Sequence, residues 1–468
     1  MKILSVGAAG IRARAATWLL LAGLAALPPG TAVAQSIEWV RQFGTSRFDA
    51  ADDAAADAAH VYVVGRVGSG QSLDGPASAG GVDTWLRKYD AAGNVVWSRQ
   101  FGTAGFDGFA KLAVDGTANV AFVAGLTTGA FAGQSNPAGA PQLFVRRQTL
   151  DSGDEQWTVQ LGAADGAVFP LAAAAAGEGV VVFGFTKGVL DAASAAGGSD
   201  FFGARFAGNG ALLWLRQFGS GGDDPAVFSL GGLAVDASGI YVGSTVPQHL
   251  PGQMIVGDAD AFLRKYDLDG NVLWTRQFGT ACSDVLSSLA VRGGRLYVAG
   301  ATNGALADPY LPRCTNPPPP HNNYGDSGKA FVQQWTTDGD WVWSRQYAGS
   351  SGLNGFSLGI GLAVTGDGVF VASEAIVPRA RVGAPDSGAR DPACPIGRPQ
   401  EDIEVRKYDL AGNRQWTRTL GSTMLDVPSG IAANATGVYL AGVTQCRLGA
   451  AASAGSADAL VIRLTDGP

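Results

Sequence analysis

The chain has 468 residues, of which 46% are hydrophobic and 16% charged, and its formal net charge is −7. This length and apolar content allow a large buried core and exclude a chain that is disordered throughout. The acidic balance argues against nucleic acid or an anionic membrane as a partner held by bulk charge. With 68 glycines and only 3 methionines, the composition favours an all-β protein rich in turns over a helical bundle.

Residues 1–34 have the layout of a secretory signal peptide, because basic residues precede an apolar run and small residues follow it. The apolar run, 15–27, has 13 residues. A membrane-spanning helix needs about 20 residues. We therefore predict export with cleavage before Gln35 and no membrane insertion, which makes the mature protein secreted or periplasmic. Residues 35–468 are predicted to form one domain. The basic residues of the leader are Lys2, Arg12 and Arg14.

One six-residue motif, Trp-x-Arg-Gln-Phe-Gly, returns through the rest of the chain at intervals of 57 to 73 residues. Each interval also contains further short apolar runs, bounded by Gly, Asp or Asn, which are strand signals. Four short strands per repeat, with Gly-Asn in the last hairpin, predict the blades of a β-propeller. The seven copies of the motif, strong and weak, begin at Trp39, Trp97, Trp157, Trp214, Trp274, Trp343 and Trp416.

The two ends of the mature chain predict how the ring closes. The chain begins with an unaccompanied fourth strand at 37–43 and finishes with an unaccompanied third strand at 459–464. Pairing these strands completes a seventh blade and hides two strand edges. We predict an all-β, seven-bladed β-propeller with four antiparallel strands per blade, the last blade being closed by the N-terminal strand.

Residues 260–279 read Asp-Ala-Phe-Leu-Arg-Lys-Tyr-Asp-Leu-Asp-Gly-Asn-Val-Leu-Trp-Thr-Arg-Gln-Phe-Gly. This run resembles the bacterial SBBP repeat, a family named for seven-bladed β-propellers. The resemblance covers essentially the whole mature chain, and the third and fifth blades depart most from the pattern. It implies the propeller fold, export and ring closure, and it implies no particular reaction.

Residues that recur in every repeat are interpreted as architecture, because a feature found in seven symmetry-related places is seldom a single site. We expect the indoles to fill the gaps between blades, and the arginine heads to stay near water. The aspartate that opens the third strand is expected to cap a turn or to pair with an arginine. In the fourth repeat the alternating residues are Phe262, Arg264, Tyr266, Trp274, Arg276 and Phe278. Aspartates between repeats, read in the same way, are Asp49, Asp107, Asp223, Asp284 and Asp426.

Two connections between second and third strands, 301–329 and 374–402, are much longer than the others. Long loops on a rigid scaffold are common binding sites, and a polyproline stretch in the first is stiff enough to hold side chains outward. A rim rich in Arg and Tyr suits a cell-envelope glycan or protein. Solvated insertions without a ligand are the alternative. The candidate ligand-binding residues are Tyr310, His321, Tyr324, Arg379 and Arg381.

The four cysteines fall in the same sector of the predicted ring. An even number in an exported protein predicts disulfides, and proximity favours the pairs Cys282–Cys314 and Cys394–Cys446. A zinc site is the alternative, but no Cys-x-x-Cys element supports it. We predict no metal and no cofactor.

No catalytic motif is recognisable, since the chain lacks metal-binding His spacings, a Gly-x-Ser-x-Gly elbow and a phosphate-binding loop. The adjacent Asp52 and Asp53 are expected to point to opposite faces of a strand. Enzyme activity is left open, and a non-catalytic, monomeric binding protein is favoured. The alternative is an extracellular lyase or hydrolase on the same propeller face, with His321 or His249 as base.

Overall fold

The computed structural model describes residues 36–73, 77–163, 165–224, 230–306, 328–347, 357–377, 400–422, 424–448 and 453–466. Within these ranges 28 strands form seven antiparallel sheets of four strands each. The predicted seven-bladed propeller is confirmed. The predicted signal peptide lies outside the described residues.

Blades 1 and 2 contain β2 (Ala50–Ala56), β3 (Val61–Val67), β4 (Asp83–Tyr89), β5 (Val95–Phe101), β6 (Asp107–Asp115), β7 (Val120–Thr127), β8 (Gln142–Thr149) and β9 (Glu155–Leu161). Blades 3 and 4 contain β10 (Val168–Ala176), β11 (Gly179–Thr186), β12 (Asp200–Phe206), β13 (Leu212–Phe218), β14 (Gly232–Asp236), β15 (Gly239–Val246), β16 (Asp260–Tyr266) and β17 (Val272–Phe278). Blades 5 and 6 contain β18 (Asp284–Arg292), β19 (Arg295–Thr302), β20 (Lys329–Thr336), β21 (Trp341–Tyr347), β22 (Ser357–Val364), β23 (Val369–Val377), β24 (Gln400–Tyr408) and β25 (Arg414–Leu420). Blade 7 combines β26 (Asp426–Asn434), β27 (Gly437–Thr444) and β28 (Asp458–Leu464) with β1 (Ile37–Phe43).

The seventh blade closes the ring with strands from both ends of the chain. β1 runs antiparallel to β28, and the register places Phe43 opposite Ala459 and Ile37 opposite Leu464. The main-chain N–H of Thr465 donates to the Ser36 carbonyl at 3.0 Å and extends the pairing. The predicted closure is confirmed, and it removes the two free edges that a linear array of sheets would expose.

In each blade the four strands are called a to d in sheet order, and the strands a of neighbouring blades contact one another around the central channel. We call the side on which strands a begin the top face. The connections from strand d to the next blade and from strand b to strand c lie on this side because antiparallel strands alternate in direction. The turns between a and b and between c and d lie on the opposite side, the bottom face.

The repeated tryptophan attaches a blade to the next one at six of the seven junctions, and the indole N–H of Trp416 makes no such bond within the described residues. Trp274 Nε1 donates to the Thr337 carbonyl at 3.2 Å, and Arg276 Nε donates to the Gly339 carbonyl at 3.2 Å in the c–d turn of blade 5. The interpretation of the indoles as packing between blades is confirmed. The same bond to the following blade is made by the indoles of Trp39, Trp97, Trp157, Trp214 and Trp343.

The expectation that the arginine heads stay near water is wrong for Arg264 and Arg87 of strand c, whereas Arg276 of strand d stays partly exposed. Arg264 is only 8% exposed, and its Cζ lies 3.9 Å from the ring centroid of Phe218 in the preceding blade. Arg87 stacks in the same way on Phe43, at 4.0 Å. These stacked pairs are internal to the blade junctions, so they hold the ring together and offer no platform to a ligand.

The aspartate that opens strand c caps the connection ahead of it, as predicted. Asp260 accepts the main-chain N–H of Val256 at 2.8 Å and the Gln277 amide at 3.1 Å. The aspartates between blades recur as interpreted, with one correction. In blade 4 the buried residue is Asp224, which accepts the Ser220 main-chain N–H, whereas Asp223 is exposed.

Within the described residues, no helix has the length and apolar character to cross a membrane.

Candidate functional site

The loop residues predicted to bind a ligand lie outside the described residues: Tyr310, His321, Tyr324, Arg379 and Arg381. His249 is exposed in the connection between β15 and β16 on the top face. His60 lies at the bottom face, with its Nδ1 3.5 Å from Asp57. The two histidines that the structure describes therefore lie on opposite faces of the ring.

Three phenylalanines and one arginine form a cluster on the top face, between blades 1 and 2. The ring centroids of Phe106 and Phe109 are 5.3 Å apart. Arg66 Cζ lies 4.5 Å from the Phe109 centroid and 5.5 Å from that of Phe48. Phe109 is 51% exposed and Phe48 44%, so both rings present apolar surface to solvent. We call these four residues the aromatic cluster.

Backbone pairing and one glycine position the aromatic cluster. Phe48 forms an isolated parallel bridge with Ala457 of blade 7. Arg66 is the penultimate residue of β3, and its stem passes over Gly108. A Cβ at Gly108 would lie 3.2 Å from the Phe106 ring and 3.3 Å from Arg66 Cδ. Gly108 therefore makes room for the side chains that meet above it.

Phe109 has an unusual backbone conformation, with a φ of 51° in the left-handed region. It lies in the irregularity between Gly108 and Lys111, where the register of β6 against β7 shifts. A bulky side chain seldom adopts this conformation, which costs about 1 to 3 kcal/mol. The fold thus keeps a large aromatic ring half exposed at a position where glycine would be less strained.

Two buried carboxylates lie beside the aromatic cluster. Asp52 is hydrogen-bonded to Arg66 Nη1 and accepts the Ala110 N–H at 3.3 Å, while Asp53 accepts the Leu112 N–H at 3.0 Å. The prediction that these neighbours point to opposite faces is wrong, because a register shift between Ala51 and Asp53 interrupts the alternation of β2. Both carboxylates therefore bond the backbone of β6.

The electrostatics of this place are set by two acids and two bases. Burial raises the pKa of Asp52 and of Asp53, and the nearby positive charges of Arg66 and Lys111 offset part of the effect. Lys111 makes no ion pair within 4 Å among the described residues and lines the central channel. Its charge therefore acts on Asp52 and Asp53 from the wall of the channel.

The channel beneath the cluster holds a cavity of about 200 Å³, lined by the strands a of all seven blades. Asp53 and Lys111 are the charged residues of this lining. Small residues occupy the equivalent positions on the other blades: Ala172, Gly232, Ser288, Gly361 and Gly430. The charge of the channel is therefore concentrated beside the aromatic cluster.

A separate carboxyl pair lies at the top of blade 6, where the long connection leaves β23. Burial and the neighbouring Glu401 raise the pKa of Glu374 to about 8. A carboxyl group that keeps its proton near neutral pH can act as a general acid. Among the described residues, no three His, Cys, Asp or Glu side chains come together as a metal site would need.

Both cysteines that the structure describes are buried, Cys282 and Cys446 each being 1% exposed, and neither is a free thiol. Cys314 and Cys394 lie outside the described residues. The pairing of the four cysteines therefore stays a prediction.

No known family model matches the chain, so the SBBP resemblance also stays a prediction. The chain is similar to the regulatory protein FlaEY of Caulobacter vibrioides (strain ATCC 19089 / CIP 103742 / CB 15), with 32% identity over 114 residues. The match spans 23% of this chain and 12% of FlaEY, so it concerns a small part of that protein.

Three solved structures with a similar fold are the Dos1 propeller, the WD40 β-propeller domain of Doa1 and the phage phi92 endosialidase. Their sequence identities are 9%, 11% and 9%, and their TM-scores are 0.43, 0.46 and 0.45. The alignments cover 92%, 92% and 91% of this chain, and 95%, 97% and 69% of the respective structures. These likenesses say nothing about a ligand.

Sequence reasoning missed the aromatic cluster because it looked for long loops. The signal is a departure inside a repeat: Phe106 and Phe109 flank Asp-Gly where strand a of blade 2 begins, and Phe48 precedes strand a of blade 1. At the position of Phe109 the other blades carry no aromatic residue, but residues such as Ala51, Leu286, Gly359 and Pro428. A comparison of the repeats position by position would have found this substitution.

Proposed function

We propose that this chain is an exported, non-catalytic propeller that binds an extracellular or cell-envelope glycan on its top face. The observation that carries the proposal is Phe109, a half-exposed ring held in a left-handed backbone conformation beside Phe48 and Arg66. Backbone strain concentrates at functional sites. A strained residue that exposes apolar surface is hard to explain by stability alone.

The chemistry of the cluster suits a sugar. The C–H face of a pyranose ring packs on an aromatic ring, while its hydroxyl groups need hydrogen-bonding partners around it. Phe48 and Phe109 offer rings separated by the Arg66 guanidinium. Lys111, just inside the channel, adds a positive charge that favours a glycan with carboxylate or phosphate groups. An acidic glycan is therefore the ligand class that fits best.

The long connections of blades 5 and 6 leave the sheets on the same face. We propose that their Tyr310, His321, Tyr324, Arg379 and Arg381 form a second part of the glycan-binding rim. A long polymer would then contact the aromatic cluster and these loops at the same time. The support is limited to their shared face and to residue types that are common in binding sites.

The test uses the mature chain, residues 35–468, on an array of neutral and acidic bacterial glycans. Phe109→Ala and Phe48→Ala are expected to weaken binding at least about tenfold, a usual loss when an aromatic anchor is removed. Leu213→Ala is the matched control, because Leu213 is 54% exposed but lies near the bottom end of β13. Equal loss in all three variants, or binding of a protein with no glycan, would contradict the proposal.

Deletion of residues 316–324 tests the loops separately. If they belong to the rim, the deletion lowers affinity for long glycans and leaves the thermal midpoint nearly unchanged. If affinity for a polymer stays the same, the loops are solvated insertions and the aromatic cluster acts alone.

Export and disulfide formation are part of the same proposal. We expect the protein expressed with its leader to appear outside the cytoplasm with Gln35 at its N-terminus. Peptide mapping without reduction should recover Cys282 with Cys314 and Cys394 with Cys446. The composition of the leader supports export, and the even number of cysteines supports the disulfides. An intact leader, or four alkylatable thiols in the folded protein, would refute these parts.

The second candidate is a lyase or hydrolase on the top face, and one observation favours it. Glu374 has a pKa of about 8 at the base of the blade 6 connection, where it could donate a proton to a leaving group. Turnover of a polysaccharide by the mature chain that is lost in Glu374→Gln, or in the double variant His249→Ala with His321→Ala, would support it. Absence of turnover across the glycans that bind would leave the binding protein as the function.

A further inference from the structure

Pairs of aspartates, all buried except the half-buried Asp402, occupy the top of five blade junctions. In each pair one aspartate opens or lies near the start of strand c and the other precedes or opens strand a of the next blade. At four of the junctions the glycine that follows strand d lies between the two carboxyl groups. A Cβ at Gly279 would lie 2.9 Å from Asp260 Oδ1 and 2.7 Å from Asp284 Oδ2. The pairs are Asp83 with Asp107, Asp200 with Asp224, Asp260 with Asp284, Asp402 with Asp426, and Asp458 with Asp49.

One oxygen of each aspartate except Asp402 has well-defined donors. Asp284 Oδ2 accepts the Thr280 N–H at 2.5 Å and its hydroxyl at 3.0 Å, and Asp260 accepts donors from Val256, Gly257 and Gln277. The other oxygens at four junctions are buried and make no hydrogen bond of normal geometry within the described ranges, although threonine hydroxyls lie near the carboxyl groups of Asp107, Asp284 and Asp426. They are the Oδ1 atoms of Asp83, Asp107, Asp200, Asp224, Asp284, Asp402 and Asp426.

Within the described residues, no positive charge acts on Asp284, Asp402 or Asp426. Asp260 on β16 is the titratable group that faces Asp284, and the remaining neighbours are the uncharged Thr280, ahead of β18, and Thr302 on β19. Asp426 is likewise the charged group that faces Asp402, and Asp426 itself meets the hydroxyls of Ser422 and Thr444. Two buried carboxylates without a cation cannot both stay ionised cheaply.

We propose that four blade junctions are closed by aspartate pairs that share a proton, which makes the ring sensitive to pH. In a shared pair the proton lies on one carboxyl group and is donated toward the other. At the junctions of Asp83 and Asp200 the orphaned Oδ1 is the oxygen that lies beside the intervening glycine, so it gains a partner. The lost repulsion and the gained hydrogen bond both favour contact between the blades. Each such junction therefore binds a proton more tightly when the ring is folded than when it is unfolded.

The fifth pair, at the junction that joins the chain ends, differs in a way that provides a control. Asp49 Oδ1 accepts the Gly68 N–H at 3.0 Å, and Asp458 accepts the Ala454 N–H and the Gln42 amide. Every oxygen of this pair has a donor, so the pair needs no proton to satisfy it. The proposal predicts that this junction does not contribute to the sensitivity to pH.

The sign of the effect follows from the direction of the pKa shifts. Burial, with the neighbouring carboxylate, raises the pKa of Asp284 and of Asp402 to about 7, and burial raises that of Asp426 to about 6. A carboxyl group whose pKa is raised in the folded state contributes its full stabilisation below its unfolded pKa of 3.8. The contribution is lost as the pH rises through the folded pKa. The propeller should therefore lose stability between about pH 4 and pH 7.

The experiment measures the thermal midpoint of the mature chain from about pH 5 to pH 8, with calcium and with a chelator. We expect the wild-type midpoint to fall by about 5 °C over this range. Asp284→Asn and Asp402→Asn keep an acceptor and supply a donor without charge, so together they should remove about half of the fall. Asp49→Asn changes the net charge equally and should leave the slope unchanged.

Infrared spectroscopy of the wild-type protein tests the protonation directly, even if a variant fails to fold. The carbonyl band of a protonated carboxylic acid should be present at pH 7, and it should decrease in Asp284→Asn and Asp402→Asn. A missing band, or a pH slope that both variants retain, would overturn the proposal. If calcium raises the midpoint at pH 8 in the wild type but not in the variants, a cation occupies the pairs and the shared proton is wrong.

Discussion

The indole of Trp214 lies on Gly270 of the next blade, and the ring leaves no room for a side chain at position 270. Gly270 has a φ of +80°, and a Cβ there would come within 2.7 Å of the Trp214 ring. Trp214 Nε1 also donates to the Leu268 carbonyl at 3.0 Å, which fixes the ring over the turn. The contact recurs at six junctions, on Gly93, Gly153, Gly210, Gly270, Gly339 and Gly412.

Gly270→Ala should therefore destabilise the propeller by about 2 kcal/mol, because alanine is strained at this φ and its methyl group collides with the indole. The measurement is the midpoint of urea unfolding of the mature chain. Gly221→Ala is the matched control, since a Cβ at Gly221 would meet nothing within 4 Å. Equal midpoints for the two variants would contradict this account of the junction.

The fold could be predicted from the sequence because each level of it repeats. Strand length, the Gly-Asn turns and the Trp-x-Arg motif all point to four-stranded blades, and the unaccompanied end strands point to closure. Less predictable features depend on one residue within a repeat. Asp224, and not its neighbour Asp223, enters the junction, and a strand irregularity turns both Asp52 and Asp53 toward β6.

The candidate site was harder to predict, for a physical reason. Phe48 lies in a connection, Arg66 at the end of β3 and Phe109 at the start of β6. Their contact depends on the packing of two blades. No local pattern contains all three residues. A long loop is evident from its length alone, whereas an aromatic ring at one position of one blade is evident only when the repeats are aligned. The resemblance to a repeat family reinforced this bias, since it implied the scaffold and no site.

The closing strand gives a second prediction, because Trp39 and Arg41 on β1 bind the c–d turn of blade 1. Trp39 Nε1 donates to the Ala91 carbonyl at 3.0 Å, and Arg41 Nε donates to Gly93 at 2.7 Å. Removing residues 35–43 opens the edge of β28 and breaks both contacts. We expect the thermal midpoint to fall by more than about 10 °C, with aggregation through the open edge.

A synthetic peptide of residues 35–44 should restore part of the lost stability when it is added to the truncated protein. A peptide of the same composition in scrambled order is its control. If the truncated chain unfolds at the wild-type temperature, the pairing of β1 with β28 does not hold the ring closed.

Phe109 gives a prediction in which two variants differ in stability but not in binding. Phe109→Gly removes the ring but relieves the strain of the φ of 51°, whereas Phe109→Ala removes the ring and keeps most of the strain. We expect the glycine variant to be more stable than the alanine variant by about 1 kcal/mol. Both should lose glycan binding to the same extent. A glycine variant less stable than the alanine variant would show that this backbone conformation is not strained.

The c–d turns give a last prediction, on the acid side of the stability profile. Asp267 accepts the N–H and the side-chain amide of Asn271, each at 2.8 Å, and these bonds lower the pKa of Asp267. A lowered pKa contributes stability above the unfolded value of 3.8, and this is lost as the pH falls through the folded value. Since the junction aspartates act in the opposite sense, the thermal midpoint should pass through a maximum at mildly acidic pH. Asp267→Asn keeps an acceptor without charge, so its midpoint should fall less than that of the wild type when the pH is lowered from about 5 to 3. Asp90 and Asp409 are the equivalent turn residues. If a variant that replaces all three aspartates keeps the wild-type fall of the thermal midpoint at acidic pH, these carboxylates do not cause that fall.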